Sequence, residues 1–160
     1  MSCYAGEHGT ITLPSGQAPL LRKALTDAAE KRIAALAVET ATAWDRLKKL
    51  SPTRRGRLDT WDQVFDGINQ DAIWLMQRYD SKTGRGVWAR PTQKQIRESV
   101  VTRHKDHSGA TATVYHVGSE ASITLRGNTI TWDVPENNHA PERAANHPLA
   151  VVLFDFLSRV

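Results

Sequence analysis

Hydrophobic residues alternate with polar ones between residues 110 and 134, most regularly in the segment Thr129–Val134. Alternation with a period of two, built from β-branched and aromatic residues, is typical of strands with one buried side. Gly118 and Gly127 each begin a turn between two such runs, and Gly127 with the asparagine that follows it suits a tight hairpin. The pattern therefore predicts a three-strand antiparallel meander, against which we expect the helices to bury their apolar sides.

A shorter alternating run, Gly9–Leu13, lies near the N-terminus, and we expect it to form an edge strand of the same sheet. The spacing then changes, because apolar residues recur every three or four positions from Leu21 to Leu47. One continuous stripe of this kind predicts a single long helix over residues 17–50 that faces the core.

A second stripe with helical spacing covers residues 61–79. Thr60 and Gln63 match a capping box, in which each side chain accepts a hydrogen bond from a free N–H group of the first turn. Gly67 weakens this helix by about 1 kcal/mol relative to alanine, which a packed helix tolerates. Residues 80–91 are rich in glycine and basic side chains and are predicted to form a loop.

A short third helix is predicted over residues 92–102, again behind a capping box, and a final helix begins at Pro148 with Asn146 as its cap. The order of elements indicates an α+β fold. Its small antiparallel sheet combines the meander at 110–134 with the strand near 9–13. A long N-terminal helix, one or two middle helices and a C-terminal helix cover it, in one globular domain spanning 1–160.

Composition narrows the class of protein further. No run of apolar residues approaches the ~18 of a membrane span, and no signal peptide is visible, so we expect no membrane association. Cys3 is the only cysteine, which excludes an intramolecular disulfide and favours the reducing cytoplasm. The thiol lacks any context that would make it catalytic.

The net charge of +4 is distributed unevenly along the chain. Residues 46–105 carry 14 basic and 6 acidic side chains, whereas the segments on either side are both net negative. A local excess of positive charge attracts polyanions, although lysine and arginine also solvate the surface of any helix or loop. This asymmetry favours an anionic partner.

Nine residues are the candidates for binding that partner. Basic side chains neutralise phosphates, and an exposed aromatic ring can stack on an unpaired base. Trp61 and Trp74 have the spacing of a helix core and are expected to be buried, which leaves Trp88 as the stacking residue. The predicted binding residues are Arg54, Arg55, Arg57, Lys82, Arg85, Trp88, Arg90, Lys94 and Arg97.

Two other clusters could hold chemistry. The polar run after the sheet contains Asp133, Glu136, His139 and His147, the residue types of acid–base or metal sites, but these residues also serve as ordinary turn and cap formers. His104 and His107 have a spacing that could share a metal, but two solvated imidazoles in a loop explain it more simply. We therefore predict no catalytic residue, no metal site and no cofactor.

The sequence favours a non-catalytic binding module whose basic middle region engages nucleic acid or an acidic surface of a nucleic-acid-handling complex. The alternative is a protein–protein inhibitor or adaptor, of the kind that phages and plasmids direct against larger host assemblies, since tryptophan and arginine are favoured interface anchors. An enzyme using the polar run at 133–147 is a third reading. A homodimer through the end of the long first helix remains open.

Overall fold

The computed structural model describes residues 6–50, 61–105, 107–118, 121–135 and 147–160. Over these ranges the chain forms five helices: α1 Gln17–Lys48, α2 Trp61–Phe65, α3 Gln70–Met76, α4 Gln93–Glu98 and α5 Pro148–Leu157. The same ranges contain seven strands: β1 Gly6–Thr12, β2 Gln77–Asp80, β3 Arg85–Trp88, β4 Val101–Lys105, β5 Thr111–Val117, β6 Ala121–Arg126 and β7 Thr129–Pro135. The α+β class predicted from the sequence is confirmed.

The chain divides into two compact units, the first comprising Met1–Arg32 and Glu98–Val160 and the second Ile33–Arg97. Helix α1 is continuous and contributes its first half to unit 1 and its second half to unit 2. The single domain predicted for 1–160 stays a prediction.

Unit 1 contains a five-stranded antiparallel sheet in the order β1-β7-β6-β5-β4. The predicted meander and the N-terminal edge strand are therefore confirmed. One side of the sheet is the core face, on which the side chains of Tyr115, Ile123 and Leu125 are fully buried. Thr26 of α1 shares a hydrogen bond of 3.0 Å with the Tyr115 hydroxyl, which fixes α1 against the sheet. Helix α5 packs against β5.

The opposite side of the same sheet is polar. The strand register aligns Thr10, Thr131 and Thr124 across three neighbouring strands, and Thr102 lies in the same row beyond Val114. We call this side the hydroxyl face, since its exposed or half-buried side chains include the seven hydroxyl-bearing residues Thr10, Thr12, Thr102, Ser122, Thr124, Thr129 and Thr131. This row thus places threonine hydroxyl groups from four of the five strands on one side of the sheet.

The edge strand β4 differs from the prediction. The helix predicted over residues 92–102 is shorter, because α4 ends at Glu98 and Val101–Lys105 pairs with β5. Val100 is buried as expected, and its carbonyl accepts a hydrogen bond of 2.8 Å from the N–H of His116. Val101 and Thr102, the β-branched residues that follow α4, favour extended backbone. Pairing with β5 gives them backbone hydrogen bonds and cross-strand contacts, which stabilise the chain more than one further turn of a short helix would.

The cap of α5 also differs. The predicted cap, Asn146, lies outside the described residues, and the N-cap is His147, whose Nδ1 accepts a hydrogen bond of 3.2 Å from the N–H of Leu149. A histidine can replace the usual oxygen cap because its unprotonated ring nitrogen is also an acceptor.

The prediction of one helix over residues 61–79 is wrong, because this range of unit 2 contains two shorter helices, α2 and α3. Helix α2 ends at Phe65, because Gly67 adopts a left-handed φ of 74° that stops the helix. Asn69 then caps α3 by accepting a hydrogen bond of 2.8 Å from the N–H of Asp71. Thr60 of the predicted capping box lies outside the described residues.

The predicted loop at 80–91 is wrong over Arg85–Trp88, which forms β3 and pairs with β2 in an antiparallel hairpin. Residues 81–84 form the turn of this hairpin. The hairpin follows α3 directly, and the N–H of Ala89 donates a hydrogen bond of 2.8 Å to the carbonyl of Met76.

A hydrophobic cluster holds unit 2 together. It combines Ala43 and Leu47 of α1 with the buried side chains of α2 and α3, among them Val64, Ile73 and Met76. Arg46 completes this packing, since its Nη1 donates to the carbonyl oxygens of Val64 at 3.1 Å and Asp66 at 2.8 Å. These carbonyls belong to the end of α2, where acceptors lack helical partners.

Among the helices of the described ranges, none combines the length and the apolar character needed to cross a membrane.

Candidate nucleic-acid interface

The β2–β3 hairpin is the centre of the basic region in unit 2. Tyr79 lies opposite Gly86 in the register, and Gln77 lies opposite Trp88. The turn is held by two hydrogen bonds to Asp80, whose carbonyl accepts from the N–H of Gly84 at 2.8 Å and whose side chain accepts from the N–H of Lys82 at 2.9 Å. This local pairing explains how a glycine-rich, highly charged segment keeps a defined shape.

Trp88 anchors the hairpin to the core of unit 2. Its ring centroid lies 5.7 Å from that of Trp61 and 4.8 Å from that of Phe65, in edge-on and tilted contacts respectively. The side chain is half-buried against the hydrophobic cluster. Its predicted contact with a partner stays a prediction, but most of the ring is engaged by the protein itself.

Tyr79 and Trp74 are aromatic residues of unit 2 that are more exposed than Trp88. Tyr79 is 73% exposed and Trp74 is 46% exposed. The expectation that Trp74 is buried is wrong, because α3 is only seven residues long and turns this side chain away from the cluster. The apolar spacing does not identify Tyr79 as an exposed residue, because it places this tyrosine at the last core position of the helix predicted over residues 61–79. In the structure, α3 ends at Met76 and Tyr79 belongs to β2. The glycine opposite it, Gly86, is the available signal, since it leaves the tyrosine ring without a cross-strand neighbour.

Arg78 connects the hairpin to α4. Its Nη1 donates to the carbonyl oxygens of Leu75 at 2.6 Å and Gln77 at 2.7 Å, and its Nη2 donates to the side-chain oxygen of Gln95 at 3.1 Å. The same Gln95 oxygen accepts from the N–H of Thr92, while the Thr92 hydroxyl accepts from the N–H of Gln95. The predicted capping box of this helix is confirmed, and Arg78 has a structural role.

The structure places six of the nine predicted binding residues on or beside this hairpin. Residues 77–97 contain six basic side chains and a single acidic one, Asp80. Within the described part of the chain, neither Lys82 nor Arg90 has an ion-pair partner, and both are exposed. The six are Lys82 in the turn, Arg85 and Trp88 in β3, Arg90 after it, and Lys94 and Arg97 in α4.

The other three, Arg54, Arg55 and Arg57, lie outside the described residues. The expectation that the two basic connectors are neighbours therefore stays a prediction.

Two of the four residues named in the polar run, Asp133 and His147, are described by the structure, and each makes a separate contact. Asp133 lies on the hydroxyl face, where its Oδ1 is 2.8 Å from Nδ1 of His8, and His147 caps α5. Glu136 and His139 lie outside the described residues. His107 occupies the turn between β4 and β5, whereas His104 is part of β4.

No protein-family model, curated protein or solved structure matches this chain. The geometry and chemistry of the described residues are therefore the basis for assigning a function.

Proposed function

We propose that the protein is a non-catalytic module that binds single-stranded nucleic acid through the β2–β3 hairpin and the start of α4. The observation that supports this is the exposed Tyr79 ring on a hairpin surrounded by basic side chains with one acid among them. Cations supply attraction to the phosphate backbone, and an exposed aromatic ring supplies a sequence-tolerant stacking platform. The lone cysteine and the polyanionic ligand both favour the cytoplasm.

The hairpin suits this role because its two ends have different tasks. Trp88 and Arg78 hold its base to the core of unit 2 and to α4, so the strands need no partner to keep their shape. Tyr79 and the turn that carries Lys82 then remain available to a ligand. Preorganised binding groups lose less conformational entropy on binding than flexible ones.

The direct test is fluorescence anisotropy of a labelled oligothymidine and of a duplex of the same length, titrated with the full chain at several salt concentrations. We expect tighter binding to the single strand, with an affinity that falls steeply as salt rises. Absence of binding at low salt, or an affinity that does not change with salt, would falsify the proposal.

A second candidate is an acidic protein surface, which suits an inhibitor or adaptor of a larger assembly. The exposed apolar side chains Trp74 and Val87 favour it, because aromatic and apolar anchors surrounded by arginine are common in protein interfaces. Capture of partners from an extract with and without nuclease separates the two proposals. A stoichiometric protein that survives nuclease treatment supports the adaptor, and loss of all partners supports nucleic acid. The homodimer through α1 stays a prediction that sedimentation can test.

A further inference from the structure

The edge of the five-stranded sheet at β1 is regular and lacks the residues that usually prevent pairing. All seven residues from Gly6 to Thr12 keep one continuous register with β7. The segment contains no proline, lysine or arginine, which commonly protect the edge of a natural sheet. Among the described strands, β7 is the only neighbour of β1. Within the described part of the chain, the other side of β1 can therefore accept a further strand.

The register determines which backbone groups point outward. The N–H of Leu13 donates a hydrogen bond of 2.7 Å to the carbonyl of Asn128, so the odd-numbered residues of β1 bond toward β7. The even-numbered residues then direct their N–H and C=O groups away from β7. These residues are His8, Thr10 and Thr12.

The side chains on the core face make this edge complementary to itself. Ile11 is 37% exposed and lies two residues beyond Gly9 on the same strand. The indole ring of Trp132 covers Gly9, because it occupies the space that a Cβ atom of that residue would need. The edge thus carries an exposed aliphatic side chain beside a recess whose floor is an aromatic ring.

We propose that β1 pairs with β1 of a second copy of this chain, antiparallel about a two-fold axis at Thr10, and joins the two sheets in a homodimer. Thr10 then lies opposite Thr10 of the second copy, and His8 lies opposite Thr12. The outward backbone groups form about six hydrogen bonds across the axis. On the hydroxyl face, threonine pairs with threonine, a favourable cross-strand pair.

The two-fold axis also joins each projection to a recess. Ile11 of each copy lies opposite Gly9 of the other, at the close spacing of a pair without hydrogen bonds, where it packs on the indole ring of Trp132. An axis at Gly9 would instead place Glu7 opposite Ile11. An axis at Ile11 would bring Pro14, which has no N–H, into the ladder.

The opposite edge of the sheet explains why pairing stops at two copies. Arg103, His104 and Lys105 of β4 are exposed, and positive charges on an edge strand oppose pairing. The carbonyl of Val100 accepts a hydrogen bond from the N–H of His116, so the N–H of Arg103 points away from β5. A two-fold axis uses the same edge of both copies, so β4 forms both ends of the joined sheet and the assembly is closed.

The test combines sedimentation equilibrium with hydrogen–deuterium exchange of the backbone amides, on the unmodified full chain at low and high protein concentration. We expect a monomer–dimer equilibrium. The amides of His8, Thr10 and Thr12 should exchange more slowly as the dimer forms, because they gain hydrogen-bond acceptors. The amide of Arg103 is the internal control and should exchange at the same rate at both concentrations.

Two variants locate the interface by side chain. Ile11→Lys should weaken dimerisation by about 10–100-fold, because each dimer loses two apolar contacts and gains two charges at the paired edges. Val38→Lys is the matched control, since Val38 is 66% exposed and lies on α1. This variant should dimerise like the unmodified protein.

Four results would overturn the proposal. One is a chain that remains monomeric at about 1 mM. Another is a dimer in which the amides of Thr10 and Thr12 exchange as fast as in the monomer. The third is a dimer that Val38→Lys dissociates and Ile11→Lys does not, which would place the interface on α1. The fourth is protection of the same amides at every concentration, which would mean that the chain covers its own edge.

Discussion

Gly9 shows how one absent side chain shapes the edge of the sheet. It lies opposite Trp132 in the register of β1 and β7. A Cβ atom at Gly9 would lie 2.2 Å from the Cζ2 atom of Trp132, so the indole ring occupies the space that any other residue would fill. Strand glycines are often covered by an aromatic ring on the neighbouring strand in this way.

Gly9→Ala should destabilise the protein by about 1–3 kcal/mol, because the indole ring must leave its position to make room for the methyl group. Urea unfolding of the full chain measures the change. Gly86→Ala is the matched control, since a Cβ atom there meets no atom closer than 3.8 Å. The backbone freedom that the unfolded chain loses in both variants acts in the stabilising direction. Equal destabilisation by the two substitutions would therefore show that the contact with Trp132 is not responsible.

Tyr79 is the residue on which the proposed stacking of a base depends. Tyr79→Ala should lower affinity for oligothymidine by about 1–3 kcal/mol, the usual contribution of one base stacked on an aromatic ring, and Tyr79→Phe should keep it. The side chain is 73% exposed, so the substitution has little effect on folding. Trp74→Ala removes an exposed aromatic residue from α3 instead. A similar loss of affinity in that variant would contradict a specific role for the hairpin.

The elements of unit 1 follow from their sequence far better than those of unit 2. Period-two alternation over Ala121–Arg126 and Thr129–Val134 is unambiguous, because each polar position projects onto the hydroxyl face and each apolar one onto the core face. The segment 61–79 is misleading because its apolar residues fit helical spacing while the backbone does not. Two local interactions decide the outcome there, the left-handed Gly67 and the cap at Asn69, and neither changes the apolar pattern.

Gly67→Ala distinguishes the predicted helix from the observed break by the sign of its effect. In a continuous helix, alanine would stabilise the protein by about 1 kcal/mol. In the structure Gly67 has a φ of 74°, so alanine should destabilise it by about 1 kcal/mol, although a Cβ atom there meets nothing within 4 Å.

Thermal or urea unfolding gives the sign directly. Gly67→Asn is the control, because asparagine tolerates the left-handed conformation better than alanine does and should recover part of the stability. A rise in stability in Gly67→Ala would contradict the break between α2 and α3.

For the complete chain, the class of fold could be predicted from the sequence, while the candidate site could be predicted only in part. Charge counts identify the basic region, because charge adds up irrespective of how the chain folds. They cannot assign the stacking residue or the contact between Thr102 and His116, since both depend on strand register. Tyr79 lies opposite Gly86 only because β2 pairs with β3, and the Thr102 hydroxyl lies 3.1 Å from Nε2 of His116 only because β4 pairs with β5.

Either the net charge of the protein or the local charge of the hairpin could attract the polyanion, and two double variants distinguish these causes. Lys82→Gln with Arg90→Gln removes two exposed cations from the hairpin region, and Lys23→Gln with Arg159→Gln removes two from unit 1. Lys23 pairs with Asp27 at 2.9 Å and Arg159 with Asp155 at 3.0 Å. Both double variants lower the formal net charge of +4 by two.

If the hairpin binds phosphates, only the first double variant should reduce the dependence of log affinity on log salt, by about 0.7 for each phosphate of the single strand that is no longer neutralised. The second should leave both affinity and slope close to those of the unmodified protein, since exposed ion pairs contribute little and lie in the other unit. Anisotropy titrations at four or more salt concentrations provide the slopes. Equal reductions in the two variants would mean that the overall positive charge, and not this surface, determines binding.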